Sequence, residues 1–248
     1  MVTVSDVQRV LAERFQVYGD VIIHPETLVV DVHGGIKMKV RSPEFGVQFG
    51  EVYGDFICIT NGLKTLKGAP HRVGRDFRCD NNLLQSLEYA PQHVSGNFIC
   101  NQNGELSNLI HAPKYVGMDF ICAECKLTSL MGSPMDIKGN FNCSFNHLTT
   151  LAHAPQTVLS WFECMGNPLK NMLGAPLNMG SIQISYQPQL PLLRCLNAQL
   201  DIVLYDDYQT VPKEVQDILL RYLGSDRKGM LKCAAELLKA GYKENARW

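Results

Sequence analysis

The chain has 248 residues, 46% hydrophobic and 19% charged, with a formal net charge of -1. These proportions exclude a disordered or fibrous chain, and the lack of a basic excess argues against nucleic acid as the partner. With no run of 18 apolar residues, and with Asp6, Arg9, Glu13 and Arg14 where a signal peptide needs an apolar stretch, the reading is a cytoplasmic protein whose nine cysteines, an odd number, are reduced thiols.

In chain order, Ser5 is the expected cap of an amphipathic helix through Val7, Val10, Leu11, Phe15 and Val17 or Tyr18, with Gly19 as its stop. Thr27 to Val40 then reads as two strands about a Gly34-Gly35 turn. Ile36 and Met38 stand 20 residues before Phe56 and Cys58, so this hairpin is expected to lead into the sheet as a degenerate first coil. Residues 1–51 are therefore read as an N-terminal helix and β-hairpin cap.

A unit repeats over residues 52–193. Phe56, Phe77, Phe98, Phe120, Phe141 and Phe162 are spaced by 21 or 22 residues, and Ile182 continues the series. Two residues after each Phe stands Cys58, Cys79, Cys100, Cys122, Cys143 or Cys164, and three further on Asn61, Asn82, Asn103, Cys125, Asn146 or Asn167. Two leucine columns come next, starting at Leu63 and Leu66, then a small residue with Pro, as in Ala69-Pro70, and then Val73 or its equivalent. The unit reads V-x-G-x-F-x-C-x-x-N-x-L-x-x-L-x-x-A-P. On a strand the Phe and Cys point inward together, the Asn satisfies backbone groups at the bend, and Pro fixes an extended return. Each Cys is thus a small buried apolar residue. The C-x-x-C of Cys122 and Cys125 reads the same way: Cys125 replaces the Asn of its repeat, and no second ligand pair accompanies it to make a zinc site.

Residues 194–248 are read as a C-terminal helical cap. Ile202 to Leu204 is expected as a last strand, Pro212 opens one helix and Asp226 caps another, with Met230, Leu231, Ala234, Leu237, Leu238 and Tyr242 at helical spacing and Cys233 beside them. Trp248 is expected either to pack back on the cap or to engage a partner.

The repeat resembles the leucine-rich repeat, whose apolar framework around one Asn or Cys matches F-x-C-x-x-N-x-L-x-x-L position for position. The resemblance implies an α/β fold class: a leucine-rich-repeat-like solenoid with a parallel β-sheet face, an N-terminal helix and hairpin cap, and a C-terminal helical cap. It also implies a surface for protein partners on that face. The tail "LKCAAELLKAGYKENARW", after such phenylalanine-cysteine repeats, is similar to uncharacterised repeat proteins of large tailed bacteriophages. That second resemblance implies a protein of the host bacterial cytoplasm that binds a bacterial host or defence protein.

The outward strand residues are then the candidate protein-binding set: Ile57, Arg78, Asp80, Ile99, Asn101 and Ile121, followed by Asn142, Phe145, Trp161, Glu163 and Met165. Branched apolar side chains, Trp and Arg where water is expected are the residue types that anchor interfaces. No catalytic residue, metal ligand or cofactor is expected, because the seven His residues are scattered and none belongs to a recurring cluster. Two alternatives stay open. Arg227, Lys228, Lys232, Lys239, Lys243 and Arg247 give the C-terminal cap a basic side for nucleotide or nucleic acid. Bacterial effectors that join short proline-containing repeats to a ubiquitin-ligase domain are also similar in repeat length, and Cys233 would be the nucleophile, though the tail has only a cap's length.

Overall fold

In the computed structural model, which describes residues 2–205 and 211–248, the chain forms two compact units, Met1–Lys126 and Leu127–Trp248. The first begins with a helix, Val4–Arg14. Its cap is Thr3, not Ser5: the Thr3 hydroxyl accepts from the Asp6 N–H (3.3 Å) and the Asp6 carboxylate accepts from the Thr3 N–H (3.0 Å). Ser5 has Gln8 at the same spacing, but it is Thr3 with Asp6 that closes this reciprocal box.

The helix buries Val7 and Leu11 and stops at Arg14, five residues before Gly19, because Phe15–Ile23 is a strand. That strand pairs antiparallel with Val30–Met38, Phe15 opposite Met38 and Ile23 opposite Val30. Gly34 and Gly35 therefore lie inside a strand and make no turn. The reason is close approach: a Cβ on Gly34 would sit 1.9 Å from the Tyr18 carbonyl oxygen across the pair, and one on Gly19 2.3 Å from that of His33. The turn is instead at residues 24–29, where the His24 carbonyl accepts from the Leu28 N–H (2.7 Å) and the His24 N–H donates to Val29 (3.0 Å).

Val30–Met38 also starts the parallel stack, with Ile36 opposite Phe56 as the 20-residue spacing predicts. Each coil of this unit carries two short strand segments, joined by a bend. One ladder runs through Phe56, Phe77, Phe98 and Phe120, and a second through Val52, Val73, Val94 and Val116. The bends hold a glycine whose place alternates. Gly54 and Gly96 stand two residues after the Val, whereas Gly74 and Gly117 stand one after it. A Cβ would lie 2.2 Å from the Tyr53 carbonyl oxygen at Gly74 and 2.0 Å from that of Ser95 at Gly117. At both of these bends the glycine lies directly against the backbone of the preceding coil.

Inside, Phe56, Phe77 and Phe98 stack at 5.4 and 5.6 Å between ring centroids, and Phe120 continues the column at 5.1 Å. Phe15, Phe45 and Phe49 close this column edge-on; Phe49 is 5.2 Å from Phe56 and also from Phe15. The offset and T-shaped geometries suit the ring quadrupole as well as burial.

In the second unit Phe141 and Phe162 stack at 5.9 Å, and three long parallel strands complete the sheet: Thr157–Glu163, Asn178–Ser185 and Ala198–Tyr205. Ser160-Trp161 replaces the Gly-Asp bend, and Met179 is one residue closer to Ile182 than Val158 is to Phe162, so bulges take up the difference. The last strand is the one expected at Ile202 to Leu204.

Pro212 precedes the helix Lys213–Arg221, and Asp226 caps Arg227–Lys239 by accepting from the Gly229 N–H (2.8 Å). The buried pair of that helix is Cys233 and Leu237, spaced by one turn. Leu231 and Leu238 of the expected stripe are more than half exposed. The chain end is fastened by Asn245, whose Nδ2 donates to the Leu190 carbonyl (2.8 Å) and whose carbonyl accepts from the Leu192 N–H (3.1 Å), while Trp248 stays exposed.

Candidate functional site

The inward columns are occupied with holding the coils. Asn82 is typical: Oδ1 accepts from the Asn61 and Leu63 N–H groups (3.0 Å each), and Nδ2 donates to the Cys58 and Cys79 carbonyls (2.7 and 2.9 Å). Each such Asn bridges its own coil to the preceding one. Asn103, Asn146 and Asn167 likewise accept from Leu84, Leu127 and Leu148.

Cys125 departs from this pattern, and the preceding coil shows why it can. Cys125 Sγ donates to the Cys100 and Ala123 carbonyls (3.2 and 3.3 Å), replacing the amide as donor. A thiol is a poor acceptor for a leucine N–H. In the preceding coil, however, Asn103 and Leu106 are three residues apart where the other coils have two, and the Leu106 N–H bonds to the Asn103 carbonyl (3.0 Å). The extra residue removes the need for a strong side-chain acceptor at this leucine N–H.

All nine cysteines are buried. Burial holds the Cys58, Cys79 and Cys164 thiols far above their ordinary range, pushes Cys195 up to about 12 and Cys233 up to about 11. Among the described residues no group of three His, Cys, Asp or Glu is placed to hold a metal ion, and no helix is long and apolar enough to cross a membrane.

The Asp and Asn residues before each Phe form a second ladder, on the outside of the bend. Asp55 Oδ1 accepts from the Asp76 N–H (3.1 Å), Asp76 Oδ1 from the Asn97 N–H (2.8 Å), and Asn97 Oδ1 from the Asp119 N–H (3.0 Å). Asn140 does the same for the Trp161 N–H (3.0 Å). Asp and Asn share this acceptor geometry, which is why the column is indifferent to charge.

On the sheet side of the first unit, Ile57, Arg78, Ile99 and Ile121 form one column, with Ile57 opposite Arg78, Arg78 opposite Ile99 and Ile121 opposite Ile99. All four are half-buried, because in-register side chains in a parallel ladder cover one another. Arg78 bonds to Asp80 in the next outward position (3.3 Å for each contact), dividing the isoleucines. Asn101 is half-buried beside them, and its Oδ1 has no hydrogen-bond partner.

In the second unit Asn142 Nδ2 donates to the Glu163 carboxylate (2.7 Å), and Trp161 and Met165 are half-buried. Phe145 is the exposed member of the eleven, at 49%. It lies on a turn with φ 55°, outside the strand, and its ring covers the place where a Cβ on Gly166 would stand.

The sequence reading missed a second outward surface, on the proline returns of this unit. Met131, Met135, Leu173 and Leu177 are 45 to 63% exposed there. Their signal was available in the columns: the residue after Pro is His71, Gln92 or Lys114 in the first unit but Met135, Gln156 or Leu177 in the second. On the C-terminal helices and the turn after them the basic groups are mixed with acids. Arg247 pairs with Glu244, Arg221 pairs with Glu236, and Lys239 borders a hollow with Glu214 and Glu236. Compared with protein-family models, curated proteins and solved structures, the chain matches none.

Proposed function

We propose that this protein is a non-catalytic protein-binding solenoid whose partner docks on the outward columns of the coils, chiefly on the sheet side. One contrast supports the reading. Inward positions repeat Phe, Cys, Asn and Leu from coil to coil, whereas the column between Phe and Cys reads Ile57, Arg78, Ile99, Ile121 in one unit and Asn142, Glu163, Gln183 in the other. The outward column is thus free to carry recognition while the inward columns hold the fold. The finer version, a bacterial host or defence protein met in the bacterial cytoplasm, rests on the resemblance of the tail and repeats to phage proteins.

The test is affinity capture from bacterial lysate with the natural chain and with Arg78→Ala combined with Trp161→Ala. A partner retained in near-stoichiometric amount by the first, and lost by a variant with an unchanged unfolding midpoint, supports the reading; equal retention removes the sheet side as the contact. The reading involves no cofactor, so capture survives prior dialysis against EDTA. Capture that falls steeply between about 50 and 200 mM salt points instead to phosphate contacts on the helical cap.

A further inference from the structure

In the second unit a groove of about 490 Å³ crosses three successive proline returns. Met135 and Leu177 wall it, Pro155 and Gln156 lie between them, and His153 and Arg194 complete its polar lining. The arrangement comes from the coils: the Gln156 N–H bonds to the Met135 carbonyl (2.8 Å) and the Leu177 N–H to that of Gln156 (3.0 Å), which sets the two apolar walls two coils apart. Both wall side chains are more than half exposed, and Met131 and Leu173 extend the apolar surface beyond them.

Arg194 gives the groove its sign. It is half-buried, and among the described residues it makes no hydrogen bond or ion pair. Among the described residues no acid lines the groove; Asp136, next to Met135 in sequence, lies outside the lining. A guanidinium held partly out of water without a carboxylate is an incomplete bidentate site.

We propose that this groove binds a peptide segment in the polyproline II conformation carrying two aliphatic side chains three residues apart with an Asp or Glu between them. Walls two coils apart are separated by about 9.6 Å; three residues of polyproline II chain make one turn and advance about 9.3 Å, so both aliphatic side chains face the groove, one at each wall, while the acid between them meets Arg194. The site is separate from the sheet-side columns and stands whether or not they bind a partner.

A random dodecamer peptide library panned against the full chain tests this, with the enriched peptides then titrated by fluorescence polarisation. Enriched sequences of the form aliphatic, acid within two positions, aliphatic are expected. Their affinity falls about tenfold or more with Arg194→Gln and with Leu177→Ser, and is unchanged with Trp161→Ala. Leu177 is exposed, so its variant keeps the unfolding midpoint and separates lost binding from lost fold. Failure to enrich any sequence, enrichment of sequences without an acid, binding by either groove variant as tight as by the natural chain, or tighter binding of dodecanoate than of any peptide overturns the proposal.

Discussion

Asn82 illustrates how much of the fold rests on single side chains. Removing its amide would strand four backbone groups in a dry interior, so Asn82→Ala is expected to lower unfolding free energy by on the order of 3 kcal/mol or more, read from urea midpoints. Position 125 inverts the expectation. There the leucine N–H is already satisfied by Asn103, so Cys125→Asn changes stability by only about 1 kcal/mol, whereas Asn82→Cys approaches the cost of Ala. A comparable penalty for both Cys and Asn exchanges would refute this account.

The residue before each small-Pro pair shows the same logic in backbone form. Gly68, Tyr89, His111, Gly132, His153 and Gly174 all have φ between 69° and 97°. His111→Gly should therefore gain up to about 1 kcal/mol by relieving a left-handed residue with a Cβ, part of which the more flexible unfolded chain takes back. Gly174→Ala should lose about 2 kcal/mol, since its Cβ would also lie 2.4 Å from the Leu151 carbonyl oxygen; thermal unfolding of the pair checks both signs.

Among the elements, the helices and the ladder rungs were legible because their signals are local: Pro212, Asp226 and the Phe-x-Cys alternation each act within a few residues. The first strands were not. Gly34-Gly35 looks like a turn in one dimension, and only its antiparallel partner at Tyr18-Gly19 shows that the glycines serve contact between strands. The frame V-x-G was half right for a similar reason, because the glycine position is set by the backbone one coil away, which leaves no room for a Cβ. Gly117→Ala is accordingly expected to cost about 2 kcal/mol or more, although Gly117 is not among the glycines with positive φ. A neutral outcome in chemical denaturation would show that the bends can separate without loss.

For the molecule as a whole, the buried thiols make a prediction in pH. The folded pKa values of Cys58, Cys79, Cys164, Cys195 and Cys233 are raised, led by burial. The unfolded chain therefore releases these protons first. The stabilisation is fully present below the unfolded thiol pKa of about 8.5 and is lost as pH rises toward the folded values, by about 1.4 kcal/mol per pH unit for each thiol that ionises only when unfolded. Urea midpoints under reducing conditions should be level with respect to thiols from about pH 6 to 8 and fall from about pH 9 to 11, and replacing Cys79 by Ala should make that fall shallower.

The sequence by itself determined the repeat, its inward and outward columns, the burial of the cysteines and the helices at the end, because each depends on periodicity or on groups adjacent along the chain. Tertiary structure decided what the columns do together. It covered Ile57, Ile99 and Ile121 with their own neighbours, tied Arg78 to Asp80, and placed Phe145 on a turn. It also opened a groove between Met135 and Leu177 and left Arg194 beside it without a counter-charge among the described residues. Exposure and charge pairing depend on what stands one coil away, about 21 residues distant in sequence and about 4.8 Å in space.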